Sequence, residues 1–248
     1  MEKVIGFFGG DHQVGATMVA QSFAEVLQQR GKKVLYLMGS GKFGEEFLPL
    51  SGKHSIDDLK ASVRSGRVTA EDFYQNLEQI RGLWVLPGVR NQLTAGYFTE
   101  NTFEVLLSEV SEDFDYVVID GGSDANLGIT ISALNTADHR FFVTTQQSKS
   151  IRRMILLQKN IVQPLERMGD LVINKYLKDP ALLLKSDILS LCEIEEAFTV
   201  PYVEYGWQAE MENKSLLRYG RFAKGIEVLA DVFAPGSQKE GRWKRHFL

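Results

Sequence analysis

The chain has 248 residues, 44% of them hydrophobic and 24% charged, and a formal net charge of −4, so it is long enough for one large α/β domain with a sizeable core. The acidic balance argues against a nucleic-acid binder with a strongly basic surface. The single cysteine, Cys192, excludes an internal disulfide and a cysteine-rich metal site and fits a reduced cytoplasmic setting. No run of 18 apolar residues is present, so no membrane-spanning helix is expected.

Short β-branched or aromatic runs alternate along the chain with longer segments of helical periodicity. The runs predict strands at 4–8, 33–37, 83–86, 116–119, 141–145 and 171–174. The periodic segments predict helices that include 18–30, 102–111, 150–167 and 215–233. The run at 116–119 is apolar throughout, as in a parallel strand buried on both faces. Together they predict an α/β fold, doubly wound around a mainly parallel sheet of about seven strands.

The chain divides into one predicted domain, residues 1–234, and a tail, residues 235–248. We find no internal repeat and no stretch with the composition of a linker, and residues 39–82 carry the least regular pattern. The N-terminus has only five apolar residues after Met-Glu-Lys, which is too short for a signal peptide. We therefore expect a cytoplasmic protein with one folded unit.

The loop after the first predicted strand has nearly all the features of a phosphate-binding loop. That motif requires a glycine, four residues, and then Gly-Lys-Ser/Thr. This chain has Gly10, four residues, Gly15, Ala16 and Thr17, so only the lysine is missing. A strand–loop–helix junction gathers backbone N–H groups and a helix N-terminus at one point, and both favour a phosphate. Thr17 occupies the position of the hydroxyl that holds Mg²⁺.

The loop resembles the deviant phosphate loop of the MinD/ParA family of ATPases, in the SIMIBI class of P-loop proteins, whose pattern is Lys-Gly-Gly-x-Gly-Lys-Thr-Thr. Aligned on Gly15 and Thr17, the lysines of that pattern fall on Asp11 and Ala16. The segments 115–120, 137–139, 143–145, 172–175 and 200–202 also resemble motifs of that family. The resemblance covers nearly the whole chain and implies a P-loop NTPase-like fold.

The resemblance also implies roles for individual residues in binding ATP with Mg²⁺. Gly10, Asp11, Gly15, Ala16 and Thr17 would surround the phosphates. Asp120 would help Thr17 to hold Mg²⁺, if a Mg-nucleotide binds at all, and Asn174 would contact adenine. The aspartates that end the family's second strand fall on Met38 and Ser40.

Loss of the lysines predicts weak or no ATP hydrolysis, and no side chain is assigned a catalytic role. Phosphoryl transfer depends on positive charge placed against the phosphate oxygens. Each charge-assisted hydrogen bond is worth roughly 1.5–3 kcal/mol, so two lost lysines cost about 3–6 kcal/mol. Asp11 would also repel a triphosphate. We interpret the chain as a degenerate family member.

Within this family the chain most resembles the CpaE/TadZ-like branch, which serves pilus assembly. The residues that support this branch are Phe43-Gly44 and the segment 83–88. The resemblance implies a localisation or assembly scaffold for a pilus or secretion machine, with protein partners and a homodimer.

Two other functions remain open. The chain could be a working ATPase of this family in which Lys42 or Lys149 replaces the missing lysines. It could also be a DNA-partitioning module that touches phosphates through Arg152 and Arg153, although the net charge makes nucleic acid an unfavoured partner.

The tail interleaves aromatic and basic residues and resembles the C-terminal membrane-targeting helix of the MinD branch. Its last ten residues hold four basic residues and one acid. The residues that would contact a membrane are Trp243, Lys244, Arg245, Phe247 and Leu248. Apolar side chains could enter the headgroup boundary while the cations meet anionic lipids. A solvated terminus is the alternative, so any location at the inner face of the membrane would be peripheral and weak.

Overall fold

One eight-stranded sheet runs through the computed structural model, which describes residues 3–44 and 48–236. Its strands are β1 (Val4–Gly9), β2 (Val34–Met38), β3 (Glu78–Ile80), β4 (Leu83–Leu86), β5 (Tyr116–Asp120), β6 (His139–Thr144), β7 (Asp170–Tyr176) and β8 (Ala197–Pro201). Their spatial order is β3-β4-β2-β5-β1-β6-β7-β8. Every neighbouring pair is parallel except β3 with β4.

Helices cover both faces of this sheet. The α-helices are α1 (Ala16–Gln29), α2 (Lys60–Arg64), α3 (Ala70–Gln75), α4 (Thr102–Leu107), α5 (Gly128–Thr136), α6 (Ser148–Leu157), α7 (Lys185–Cys192), α8 (Gly206–Met211) and α9 (Gly220–Ala230). A π-helical turn at Gln158–Val162 continues α6. Among the described residues, no helix is long and apolar enough to cross a bilayer.

The period-2 alternation of side chains divides the interior into two cores. Along β1, Ile5 and Phe7 belong to one cluster and Val4 and Phe8 to the other. The Ile5 side is covered by α1 and α9, and the Val4 side by α4 to α7. All residues of β1, β2, β5 and β6 are buried, as expected for a parallel sheet covered on both faces.

The predicted fold class is confirmed, and all six predicted strands are present with their ends shifted by at most two residues. The sheet has two further strands that the pattern did not predict. β3 is a three-residue antiparallel edge strand with the polar sequence Glu-Gln-Ile, and β8 is an edge strand that ends at Pro201. Short edge strands lack the continuous apolar pattern that identifies central ones.

Three predicted helices differ from those observed. The segment 102–111 was predicted as one helix, but α4 ends at Leu107. The segment 150–167 was predicted as one helix, but α6 ends at Leu157 and a π-turn follows. The segment 215–233 contains a short 3₁₀ turn at Leu216–Arg218 before α9 begins at Gly220. The division into a domain at 1–234 and a tail stays a prediction. The residues predicted to contact a membrane lie outside the described part of the chain; they are Trp243, Lys244, Arg245, Phe247 and Leu248.

The parallel arrangement brings several connecting loops to one edge. The segments that follow β1, β2, β5, β6, β7 and β8 all leave the sheet at its carboxyl edge, which is where ligands bind in open α/β folds. The phosphate-loop candidate follows β1, near the middle of that edge, with β5 and β6 on either side.

Candidate functional site

The phosphate-loop candidate lies between β1 and α1 and is fixed at its entrance by both neighbouring strands. The Gly9 N–H donates to the Gly122 carbonyl at 2.7 Å, and the Gly10 N–H donates to the Val143 carbonyl at 3.0 Å. A Cβ on Gly10 would lie 3.0 Å from the Met154 Cα. Glycine therefore lets α6 approach the loop closely.

Helix α1 begins at the end of this loop without a protein cap. Gly15, the N-cap residue, has a left-handed backbone with φ of 84°, no side chain caps the helix, and no acidic residue lies in its first turn. The first amide groups of a helix have no partners within it, and the positive end of its dipole favours an anion. The N-terminus of α1 is therefore chemically suited to a phosphate.

Gln13 keeps a backbone conformation that normally belongs to glycine. Its φ is 61°, in the left-handed region, and it stands where the MinD/ParA pattern has a glycine. A side chain in this region costs roughly 1–2 kcal/mol. The loop thus makes this left-handed turn without the glycine that would adopt it without strain.

Thr17 and Asp120 lie side by side. The Thr17 hydroxyl donates to the Asp120 carboxylate at 2.7 Å, and the Gly122 N–H donates to the other carboxylate oxygen at 3.2 Å. Asp120 is buried at the end of β5. A hydroxyl and a carboxylate are oxygen ligands of the kind that Mg²⁺ prefers. This pair therefore fits a Mg²⁺ ion that a bound phosphate would complete.

The described residues contain no group of three or more His, Cys, Asp or Glu side chains that could hold a metal on its own. Mg²⁺ is usually held by one or two protein groups together with phosphates and water. A metal at Thr17 and Asp120 would therefore depend on the nucleotide.

The end of β2 supplies no carboxylate to this site. Met38 pairs with Asp120 in the sheet register and belongs to the apolar core, with 2% of its surface exposed. The position two residues further on is Ser40, against which Gly122 packs closely. The described part of β2 and its end thus lacks the acids that would position water and metal in the family pattern.

Asp11 is buried and ion-paired, so a cation balances its charge beside the loop. Only 7% of its surface is exposed, and one carboxylate oxygen accepts hydrogen bonds from the His12 N–H and from the Arg153 guanidinium on α6. Burial alone would raise the pKa of Asp11, but these bonds and the charges of Arg153 and Lys149 outweigh it, and the pKa is lowered.

Asn174, at the end of β7, braces the other side of the loop. It is fully buried, and its Nδ2 donates to the Val14 carbonyl at 2.8 Å. A Cβ on Gly15 would lie 2.4 Å from this Nδ2, so the contact needs glycine. The Asn174 Oδ1 has no hydrogen-bond partner among the described residues. The predicted contact between Asn174 and adenine stays a prediction.

Lys175 reaches the loop from the same strand. Its Nζ donates to the Gln13 carbonyl at 2.8 Å, and its own φ is 54°. Burial lowers the pKa of the Lys175 ammonium, and the charge of Glu210 opposes this shift. A cation therefore lies beside the loop even though the loop itself carries none.

The structure thus gathers the predicted site residues at one place. They are Gly10, Asp11, Gly15, Ala16, Thr17, Asp120 and Asn174. Of the lysines considered as replacements, Lys149 is near enough for its charge to act on Asp11, whereas Lys42 is exposed and has no described side-chain contact with the loop. Sequence reasoning missed Lys175 as a loop contact and considered Arg153 only for DNA. No spacing rule connects either residue to residues 11–13.

A family model described as cellulose biosynthesis protein BcsQ matches residues 3–203. A protein of Methanocaldococcus jannaschii described as ATP-binding is 25% identical over 240 residues, which cover 93% of this chain and 88% of that protein. A ParA family ATPase from Chlorobium tepidum matches with a TM-score of 0.79 and 18% identity, covering 93% of this chain and 99% of the other.

A second solved structure has a similar fold. A chain of the MinC:MinD cell division complex from Aquifex aeolicus matches with a TM-score of 0.76 and 19% identity, covering 98% of this chain and all of the other. At these identities the likeness shows the fold alone. The predicted MinD/ParA-like P-loop fold is therefore confirmed.

Proposed function

Since the chain belongs to the family of the cellulose biosynthesis protein BcsQ, we propose that it is a localisation or assembly scaffold for a cellulose-secreting machine. It binds ATP with Mg²⁺ at the β1–α1 loop and hydrolyses it weakly or not at all. The observation that carries this proposal is the hydrogen-bonded pair of Thr17 and Asp120 beside a loop without lysine. Groups suited to Mg-nucleotide binding remain, while Asp11, Ala16, Met38 and Ser40 stand where the MinD/ParA pattern has its lysines and aspartates.

Nucleotide binding is supported by the loop and its neighbours. The uncapped N-terminus of α1 suits phosphate, and Thr17 with Asp120 would hold Mg²⁺, which would offset charge on the phosphates. The likeness to a protein described as ATP-binding agrees with this function.

Weak hydrolysis is supported by what the site lacks. The side chain of Ala16 has no charged group that could bind a phosphate oxygen. Met38, an apolar core residue, stands where the family pattern has an aspartate that orients water. In phosphoryl transfer, positioning and positive charge provide most of the catalysis. The residues present can bind and orient a nucleotide, but they provide little acceleration.

A scaffold binds its partners through its surface. At the carboxyl edge of the sheet, several aromatic side chains are exposed. Trp207 and Met211 on α8 are 61% and 76% exposed, and Tyr202 and Tyr205 precede them. Exposed aromatic residues and methionine are typical of protein–protein contacts. We propose that this surface contacts a second copy of the chain or a protein of the machine. The presence of a MinD-like fold in a MinC:MinD complex is consistent with a role in protein assembly.

The family description favours a machine that secretes cellulose. Membership of the CpaE/TadZ-like pilus branch stays a prediction. We place the protein at the inner face of the membrane, recruited by partners, with any lipid contact through the tail remaining a separate prediction. DNA as a partner remains unfavoured because the net charge is −4.

A working ATPase is the second candidate, and one observation favours it. Lys149 is close enough to lower the pKa of Asp11 through its charge, so a cation near the loop is available. In this case hydrolysis would use Lys149 in place of the missing loop lysines.

Two measurements test the proposal. Purified protein with ATP and Mg²⁺ should turn over no faster than about 10⁻³ s⁻¹, the range of unassisted P-loop hydrolysis. Turnover well above this rate that disappears in Lys149→Gln would establish the working ATPase instead. In its own cells, loss of the protein should abolish cellulose export while a Thr17→Ser variant retains it. Unchanged export without the protein would refute the scaffold function.

A further inference from the structure

We propose that Arg153 and Lys175 supply the positive charge that the loop itself lacks, and that together they hold the phosphate groups of the ligand. The inference rests on the proposed function, because it identifies the residues through which a nucleotide would bind. The ligand class is a polyphosphate, carried either by a nucleotide or by an inorganic chain.

The first cation lies against the position where the MinD/ParA pattern has its first lysine. The Arg153 guanidinium donates to the buried carboxylate of Asp11. Asp11 therefore fixes this guanidinium at the mouth of the loop. The Arg153 side chain is 46% exposed, so it borders open space as well as the loop.

Arg153 retains the donors needed to bind a phosphate while it stays paired with Asp11. A guanidinium has five N–H donors in a planar fork that matches phosphate oxygens. One of these donors is engaged by Asp11, the single hydrogen-bond acceptor that Arg153 has among the described residues. The carboxylate can thus orient the fork while other donors face the ligand.

The second cation lies near the end of β7. The Lys175 ammonium donates to the Gln13 carbonyl at 2.8 Å, and its Cε lies 3.7 Å from the position that a Cβ on Gly15 would take. The lysine therefore passes directly over the glycine at the start of α1. An ammonium has three donors, so two remain for a ligand.

The surroundings strengthen the preference for an anion beside the loop. Helices α1 and α6 both begin at this edge, and neither has a side-chain cap or an acidic residue in its first turn. The second residue of α6 is Lys149, a third cation close to Asp11. Among the described residues, the carboxylates hydrogen-bonded at the loop are Asp11, which is paired with Arg153, and Asp120, which is suited to Mg²⁺.

Three charge-removing variants with one matched control test the inference. The variants are Arg153→Gln, Lys175→Gln and the double variant, and the control is Arg152→Gln, which removes a neighbouring exposed charge of α6 that has no described contact with the loop. Calorimetric titrations with Mg-ATP, tripolyphosphate and adenosine separate phosphate from base recognition. Thermal unfolding of each variant verifies that it is folded.

The single variants should each bind Mg-ATP and tripolyphosphate roughly ten- to a hundredfold more weakly, the loss expected for one charge-assisted hydrogen bond. Arg152→Gln should change affinity less than twofold, and adenosine binding should not respond to any variant. Arg153→Lys should recover part of the affinity. The dependence of affinity on salt should also become less steep in Arg153→Gln and Lys175→Gln.

Equal effects of Arg153→Gln and Arg152→Gln would overturn the assignment of Arg153, and unchanged affinity in Lys175→Gln would overturn that of Lys175. In either case nucleotide binding by the unaltered protein, and with it the proposed function, would stand. If the unaltered protein binds neither Mg-ATP nor tripolyphosphate, the inference fails and so does nucleotide binding. The scaffold role would then rest on the export measurement alone.

Discussion

Asp11 in the β1–α1 loop and Arg153 on α6 form an ion pair between positions 142 residues apart in the chain. Replacing Asp11 with lysine would place an ammonium beside the guanidinium in a nearly closed space. Arg153 is half exposed, so solvent makes the repulsion weaker than it would be between two fully buried charges. We therefore expect Asp11→Lys to lower the free energy of unfolding by roughly 2 kcal/mol. Urea unfolding measures this loss.

The charge-exchanged double variant, Asp11→Lys with Arg153→Asp, should regain a large part of that stability, because opposite charges again face each other. Arg152→Asp in place of Arg153→Asp is the matched control and should regain none. If the double variant is no more stable than Asp11→Lys alone, the pair does not stabilise the loop.

The second prediction concerns the left-handed backbone of the loop at Gln13 and Gly15. Gln13→Gly should raise the free energy of unfolding by up to about 1 kcal/mol, because glycine adopts a φ of 61° without strain. Gln13→Val should lower it by about 1 kcal/mol or more, because β-branched residues are outliers there. Both substitutions are at an exposed position. If thermal or urea unfolding shows that Gln13→Val is more stable than Gln13→Gly, the observed left-handed turn is contradicted.

Gly15→Ala is the companion change and should be the most damaging one in the loop. It combines a φ of 84° with a Cβ only 2.4 Å from the Asn174 Nδ2, so Asn174 must move and lose its bond to Val14. We expect a loss of roughly 2–4 kcal/mol in urea unfolding. The control is Gly31→Ala, which has a φ of 76° but no atom within 4 Å, and it should lose only the strain.

The central strands and the loop could be predicted from the sequence because their signals are local. Apolar runs such as residues 116–119 and the spacing of Gly10, Gly15 and Thr17 depend only on neighbours in the chain. The edge strand β3 was missed because it has only three residues and is mostly polar, and β8 was missed because Thr199 and Pro201 interrupt its apolar run. The partners of Asp11 and Gln13 could not be predicted, because tertiary packing alone brings α6 and the end of β7 to the loop.

Two ion-paired aspartates predict how stability depends on acid. Burial alone would raise the pKa of Asp11 and of Asp58, but hydrogen bonds and charges from Arg153 and Arg90 respectively outweigh it, so both pKa values are lowered from 3.8. The unfolded carboxyls therefore bind protons at higher pH than the folded ones. Their stabilisation is present above about pH 4 and is lost as the pH falls through the folded pKa values.

Urea unfolding measured between about pH 5 and pH 2 tests this dependence. Asp11→Asn should flatten the acid decline more than Asp58→Asn, because Asp58 and Arg90 are each more than a third exposed and solvent screens their pair. Identical acid profiles for Asp11→Asn and the unaltered protein would show that the Asp11 pair contributes nothing.

Thr17 predicts how nucleotide binding depends on Mg²⁺. Thr17→Val removes the hydroxyl that donates to Asp120 at 2.7 Å, whereas Thr17→Ser keeps it. We expect ATP titrations of the unaltered protein and of Thr17→Ser to weaken roughly tenfold or more when EDTA replaces Mg²⁺. Thr17→Val should bind ATP equally with and without the metal. A full Mg²⁺ effect in Thr17→Val would exclude this pair as the metal site.

Restoring the missing lysine distinguishes a loop that has lost only a side chain from one whose shape no longer fits a phosphate. Ala16→Lys should strengthen Mg-ATP binding by roughly ten- to a hundredfold, the value of one charge-assisted hydrogen bond, since Gly15 and the uncapped start of α1 are retained. Ala16→Met is the control, because it adds similar length without charge. Adding Asp11→Lys should not help, since its ammonium would meet Arg153. Equal affinities for Ala16→Lys and Ala16→Met would mean that the ammonium does not reach the phosphates, and that the retained backbone shape is insufficient to position it.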